Sequence, residues 1–142
     1  MFSQTVEYAL RAMVQLTYAA PAACSTDTVA ATTQVPRAYL SKVLQALRKA
    51  ELVQSRRGIG GGICLARPAD QITILQVVNA VEPVKRISTC PLGIESHGER
   101  LCPLHSKVDA AIATIEASFA ATTLAEIVSA PHRGSKPLCA AS

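Results

Sequence analysis

Apolar residues in the first 50 positions recur at intervals of three and four, the spacing of helices buried on one face. Val6, Ala9, Leu10, Met13, Val14 and Thr17 make one such stripe, with Ser3 as a capping candidate ahead of it and Pro21 beyond its end. A short helix is expected from about Thr28 to Thr33, after the capping candidates Ser25, Thr26 and Asp27. Gln34-Val35-Pro36 then turns the chain into a helix over residues 36–50, with Tyr39, Leu40, Val43, Leu44 and Leu47 as its apolar stripe. Arg37, Ser41, Lys42, Gln45, Arg48 and Lys49 fall off that stripe and are available to another surface.

The period changes after residue 50. Leu52-Val53-Gln54 and Ile63-Cys64-Leu65 read as two short strands around Ser55-Arg56-Arg57-Gly58-Ile59-Gly60-Gly61-Gly62. Four glycines and two arginines suit a hairpin tip that approaches another surface closely, with Arg57 at the tip aimed at phosphates or a narrow minor groove. The alternative is an ordinary glycine-rich hairpin with solvated arginines. Cys64 reads as a small buried strand residue. Thr73-Ile74-Leu75-Gln76 spells a capping box for a helix ending at Glu82, before Pro83. A last helix is expected from near Leu104, carrying Val108, Ala111, Ile112, Ile115 and Phe119, and running unbroken through Leu124 to about Val128. It is too long and alanine-rich for one small domain to cover, so a second copy is expected to pack on it, giving a homodimer.

Charge sharpens this pattern into a binding prediction. The net charge is only +4, yet residues 36–67 hold seven basic side chains against Glu51 alone, while the remainder is slightly acidic. One positive segment containing a short helix, a turn, a basic helix and a glycine-arginine hairpin points to a winged helix-turn-helix on double-stranded DNA. At 142 residues and 49% hydrophobic, the chain can build a sizeable core. No signal peptide or membrane-spanning run is apparent, so a cytoplasmic protein with reduced thiols is expected, and its five cysteines are not read as a disulfide framework.

The chemistry is concentrated between Cys90 and His105, where Cys90, His97, Cys102 and His105 lie within sixteen residues. Thiolates and imidazoles can hold zinc or an iron-sulfur cluster, and Pro103 suits the first helical position, leaving Cys102 at a helix start that favours thiolate. The bland alternative is small buried cysteines and surface histidines. Glu7 and Arg11, four apart, read first as a surface ion pair worth about 0.3–0.5 kcal/mol.

Nearly the whole chain resembles the IscR/NsrR-type winged helix-turn-helix transcriptional regulators. The resemblance lies in Val6-Glu7-Tyr8-Ala9-Leu10-Arg11, Tyr39-Leu40-Ser41-Lys42, Leu52 to Gly58 with its three following glycines, Ile72-Thr73 and Ala80-Val81-Glu82. It implies a mainly α fold with a small β wing, onto which the pattern's own division falls: a winged-helix domain (1–83), a sensor loop (84–103), a dimerisation helix (104–130) and a tail (131–142). It also implies a dimer on an operator, with Ser41 and Lys42 at positions where the family contacts DNA; from their places on the basic helix and the hairpin tip, Arg37, Tyr39, Arg56, Arg57 and Gly58 are expected to join them. Several members carry a 2Fe-2S cluster on three cysteines spaced by six, sometimes with a histidine three residues later. Here the order is Cys90, Ser96, Cys102, His105, so a hydroxyl stands at the middle position beside His97. Some members add an acidic ligand from the partner's first helix, at the position of Glu7. A cluster with mixed ligands, zinc, or a metal-free thiol switch on Cys90 and Cys102 all remain open. A thiol enzyme and a protein-binding zinc adaptor are the competing classes; no acid-base partner supports the first, and the basic segment argues against the second.

Overall fold

The computed structural model describes residues 2–89, 93 and 100–130, and among them the chain is mainly helical with one two-stranded sheet. Helix α1 (Gln4–Ala19) begins at Ser3, whose hydroxyl accepts from the Val6 amide. Helix α2 (Thr26–Thr33) is capped the same way by Ser25. Its end is forced into a tight turn by Gln34 in the left-handed region (φ 57°), and α3 (Arg37–Lys49) starts directly after Pro36. Of the stripe expected on α3, Leu40, Val43, Leu44 and Leu47 are buried and Tyr39 is not; Val6, Ala9 and Met13 of the α1 stripe join the same core with Leu16, while Leu10 and Val14 are only partly buried.

Strands β1 (Val53–Arg56) and β2 (Gly62–Leu65) pair antiparallel, from Val53 opposite Leu65 to Arg56 opposite Gly62. The hairpin does not stand alone. Cys24 exchanges backbone hydrogen bonds with Ile63 (2.8 and 2.7 Å), covering the outer edge of β2. Gly62, at φ +141°, is required there, because a Cβ would overlap the Cys24 carbonyl. Cys64 is buried, as its place in an apolar strand predicts. Burial, with the Cys64 thiol nearby, pushes the Cys24 thiol up, so Cys24 does not mark an activated thiolate.

Helix α4 (Ile74–Val81) carries the capping box in full: Gln76 N–H donates to the Thr73 hydroxyl (3.2 Å) and Thr73 N–H to the Gln76 amide oxygen (2.9 Å). The expected single C-terminal helix is two. Helix α5 (Pro103–Ala120) stops, and α6 (Leu124–Ser129) restarts from Thr123, whose hydroxyl accepts from Glu126 N–H. The break is made by pairing across the fold: Ile74 N–H donates to Thr122 O and Leu124 N–H to Ile72 O, both at 2.9 Å. These bonds require extended backbone at 122–123 and place Leu124, fully buried, in the core built by α1. No helix among the described residues is long and apolar enough to cross a membrane.

Candidate functional site

The basic residues singled out from the sequence gather around α3 and the hairpin. With its apolar stripe buried, α3 leaves Arg37, Tyr39, Ser41, Lys42, Gln45, Arg48 and Lys49 exposed. Tyr39 is held upright by an edge-on contact with Tyr8 of α1, ring centroids 5.8 Å apart, and the Lys42 ammonium lies 6.0 Å from its centroid. The tyrosine therefore serves two surfaces, which explains why it fits the apolar stripe and yet stays half open.

Not all of the cations are equally available. Arg37 pairs with Asp27 of α2 at 2.7 Å. Arg48 donates to the Ser55 hydroxyl of β1 (2.7 Å), and Arg56 reaches back to the Pro21 carbonyl (2.9 Å). Sequence reasoning missed all three partners, since each contact joins segments whose approach depends on the fold. Arg57, Gly58 and Ile59 form the exposed tip. Gly58 and Gly60 adopt positive φ (96° and 75°), and Gly61 N–H closes the turn onto Gly58 O at 3.0 Å.

The second region begins α5. Cys102 is the N-cap residue, with its sulfur accepting from the His105 amide at 3.5 Å and lying 3.2 Å from His105 Nδ1. Pro103 occupies the first turn as its fixed φ predicts. A thiol and an imidazole nitrogen so placed can face one bound ion together, which is half of a four-ligand set. Cys90, Ser96 and His97 lie outside the described residues. Glu7 does not join Cys102 and His105 within one chain: its carboxylate takes Arg11 Nε at 2.9 Å, and among the described residues no three His, Cys, Asp or Glu side chains converge.

At the start of the loop, Arg86 grips Asp109 of α5 with two hydrogen bonds of 2.8 Å, and the Ile87 amide donates to the same carboxylate. This arginine and this amide hold the Asp109 carboxyl down to about 2.

Comparison with known proteins settles the class. The family model described as "Rrf2: Iron-dependent Transcriptional regulator" matches residues 2–130. The chain belongs to this family. It is 35% identical over 127 residues to a protein of Mycobacterium tuberculosis assigned as an HTH-type transcriptional regulator, covering 88% of this chain and 79% of that one. It is 36% identical over 91 residues to the HTH-type transcriptional regulator IscR of Sodalis glossinidius, covering 64% of this chain and 55% of that one. Two solved structures share the fold. T. potens IscR superposes with a TM-score of 0.76 at 24% identity over 90% of this chain and 85% of its own. CymR, the global cysteine regulator of B. subtilis, gives 0.75 at 23% identity over 91% and 96%. The Rrf2 chain described here is thus a winged-helix transcriptional regulator and not an enzyme, and the thiol-enzyme alternative falls away. DNA binding is what membership of a transcriptional-regulator family implies.

Proposed function

We propose that this Rrf2 chain binds a two-half-site operator as a homodimer, with α3 in the major groove and the wing tip in the adjoining minor groove. Tyr39, Ser41 and Lys42 would meet the major groove and Arg57 and Gly58 the minor groove, with Arg37 beside the first set and Arg56 behind the second, turned toward the Pro21 carbonyl. The observation that carries this is the outward face of α3, polar and basic from Arg37 to Lys49, lying beside an arginine-bearing glycine tip. A dimer is supported by α5, an 18-residue helix with no buried residue in the single chain, where Leu104 and Val108 are exposed. The test is fluorescence anisotropy against a duplex selected by the wild-type protein from a random-sequence library. Binding should be tight, salt-dependent and sequence-selective, and its absence at every salt concentration would end the reading.

Control of that binding is assigned to the loop preceding α5. The contact between Cys102 and His105 supports a metal site there, completed by Cys90 and by His97 or the partner subunit's Glu7, whose own-chain copy is half exposed and so within another subunit's reach. A 2Fe-2S cluster, where held, supplies one-electron redox chemistry and lability toward oxidants. Zinc on the same residues, or a metal-free thiol pair of Cys90 and Cys102, is the second reading, favoured by Ser96, since a hydroxyl is a poor ligand at neutral pH. Metal analysis with an absorption spectrum of anaerobically purified protein separates them. Cys102→Ala should abolish sulfur-to-iron charge-transfer bands and Ser96→Cys should strengthen them. Equal metal in wild type and Cys102→Ala would reject the metal site. The four-part division of the chain given by its pattern is retained here as part of the proposal, with the dimerisation segment comprising α5 and α6.

A further inference from the structure

A hairpin of two four-residue strands is marginal by itself and needs packing to hold an orientation. Here that support comes from two arginines acting on neighbouring residues of one strand. Successive residues of β1 point to opposite sides, so Ser55 and Arg56 address opposite faces of the hairpin. Arg48 comes from the last turn of α3 and donates to the Ser55 hydroxyl at 2.7 Å. Arg56 leaves from the other face and donates to the Pro21 carbonyl, in the turn between α1 and α2, at 2.9 Å. A planar guanidinium suits this use, because its donors are fixed in one fork and lose less freedom per bond than an ammonium.

We propose that Arg48 and Arg56 are positioning residues that clamp the wing from both faces and set the angle at which its tip meets DNA, rather than phosphate contacts. The proposal rests on the DNA-binding reading above. It divides the basic segment by task. Arg48 and Arg56 are engaged within the protein immediately before the tip, and Arg57 is the first cation beyond the clamp. A second anchor, the paired backbone bonds of Cys24 with Ile63, the residue opposite Ser55, leaves the hairpin few ways to rotate.

Salt dependence distinguishes the two roles. Loss of a phosphate contact weakens binding and reduces the slope of log affinity against log salt by about 1. Arg48→Gln and Arg56→Gln should each weaken binding to the selected duplex about three- to tenfold while shifting the slope by less than about half of that unit. Ser55→Ala, which removes no charge, should match Arg48→Gln, and the Arg48→Gln/Ser55→Ala double variant should be no weaker than either single variant. Amide hydrogen exchange without DNA gives an independent readout. Exchange should rise across Gly62–Leu65 in Ser55→Ala and Arg56→Gln while α1 and α4 keep wild-type protection. A slope lower by about 1 in either arginine variant would overturn the proposal. So would a Ser55→Ala protein with wild-type affinity and wild-type wing exchange. If the wild type binds no DNA, the functional reading fails while the exchange measurement still decides whether the clamp exists.

Discussion

Helices α3 and α5 have similar credentials on paper and opposite fates in the fold. The 13 residues of α3 bury Leu40, Val43, Leu44 and Leu47, whereas the 18 residues of α5 bury none, although Val108, Ile112, Ile115 and Phe119 recur at helical spacing. An apolar stripe thus predicts that a helix will be covered without saying by what. For α3 the cover is α1, α2 and α4, with β1 adding a smaller part. For α5 it is only partly α4, and the remaining surface is where a second chain is proposed.

Removing an apolar side chain from each helix should therefore break different things. Leu47→Ala, within the shared core, should lower unfolding free energy by about 2–5 kcal/mol in a denaturant titration while leaving the association state unchanged. Ile115→Glu, on the open helix, should leave the fold but dissociate the dimer in sedimentation experiments. Operator affinity should then fall by on the order of a hundredfold as two linked half-sites become two separate ones. A monomeric wild type that binds one half-site tightly would erase the contrast.

Within the region proposed to face DNA, Arg57→Ala should weaken binding to the selected duplex by about 1–3 kcal/mol with unchanged circular dichroism. Equal affinity would remove the wing from the interface.

In α5, Asp109→Asn tests whether the start of the loop is tied to the helix. The folded carboxyl sits at about 2, below its ordinary 3.8, so the ion pair stabilises the folded state above about pH 4, and this contribution is lost as pH falls toward about 2. The variant should melt below wild type near pH 6, with the gap narrowing as pH is lowered from about 5 to about 3.

The smallest effect is expected from Asp27→Asn. Both partners of its pair with Arg37 are largely exposed, so freeing Arg37 should raise DNA affinity by no more than about threefold, consistent with the small worth of surface pairs. A loss of affinity instead would mean that Asp27 orders the start of α3.

What the sequence displayed well was local. Ser3, Ser25 and the Thr73/Gln76 box mark three helix starts because a cap is a bond between residues three apart, and the wing is legible because its glycines and arginines are contiguous. What it hid depends on distant partners. The break after α5 is enforced by Ile72 and Ile74, some fifty residues earlier. A local sign was nonetheless present: Thr123 followed by Glu126 is the same capping spelling as Thr73 followed by Gln76, obscured by the alanine-rich run around it. In the candidate metal segment, Pro103 correctly foretold a helix start at Cys102, while the sulfur-imidazole contact with His105 follows from their three-residue spacing once that helix exists. The pairings of Arg48 and Arg56 had no local sign, and a count of positive charge alone overstates how many cations stand ready for DNA.

The tie between residues 72–74 and 122–124 restricts the degrees of freedom of the long helix. A rod of 18 residues, about 27 Å long, is sewn at its C-terminal end to the same core that carries α3, with Leu124 as the stitch. Such a rod cannot roll about its own axis without drawing Leu124 from the core. In a dimer built on α5, the two DNA-reading halves would change their separation by tilting or sliding rod against rod, with each half carried along as one piece.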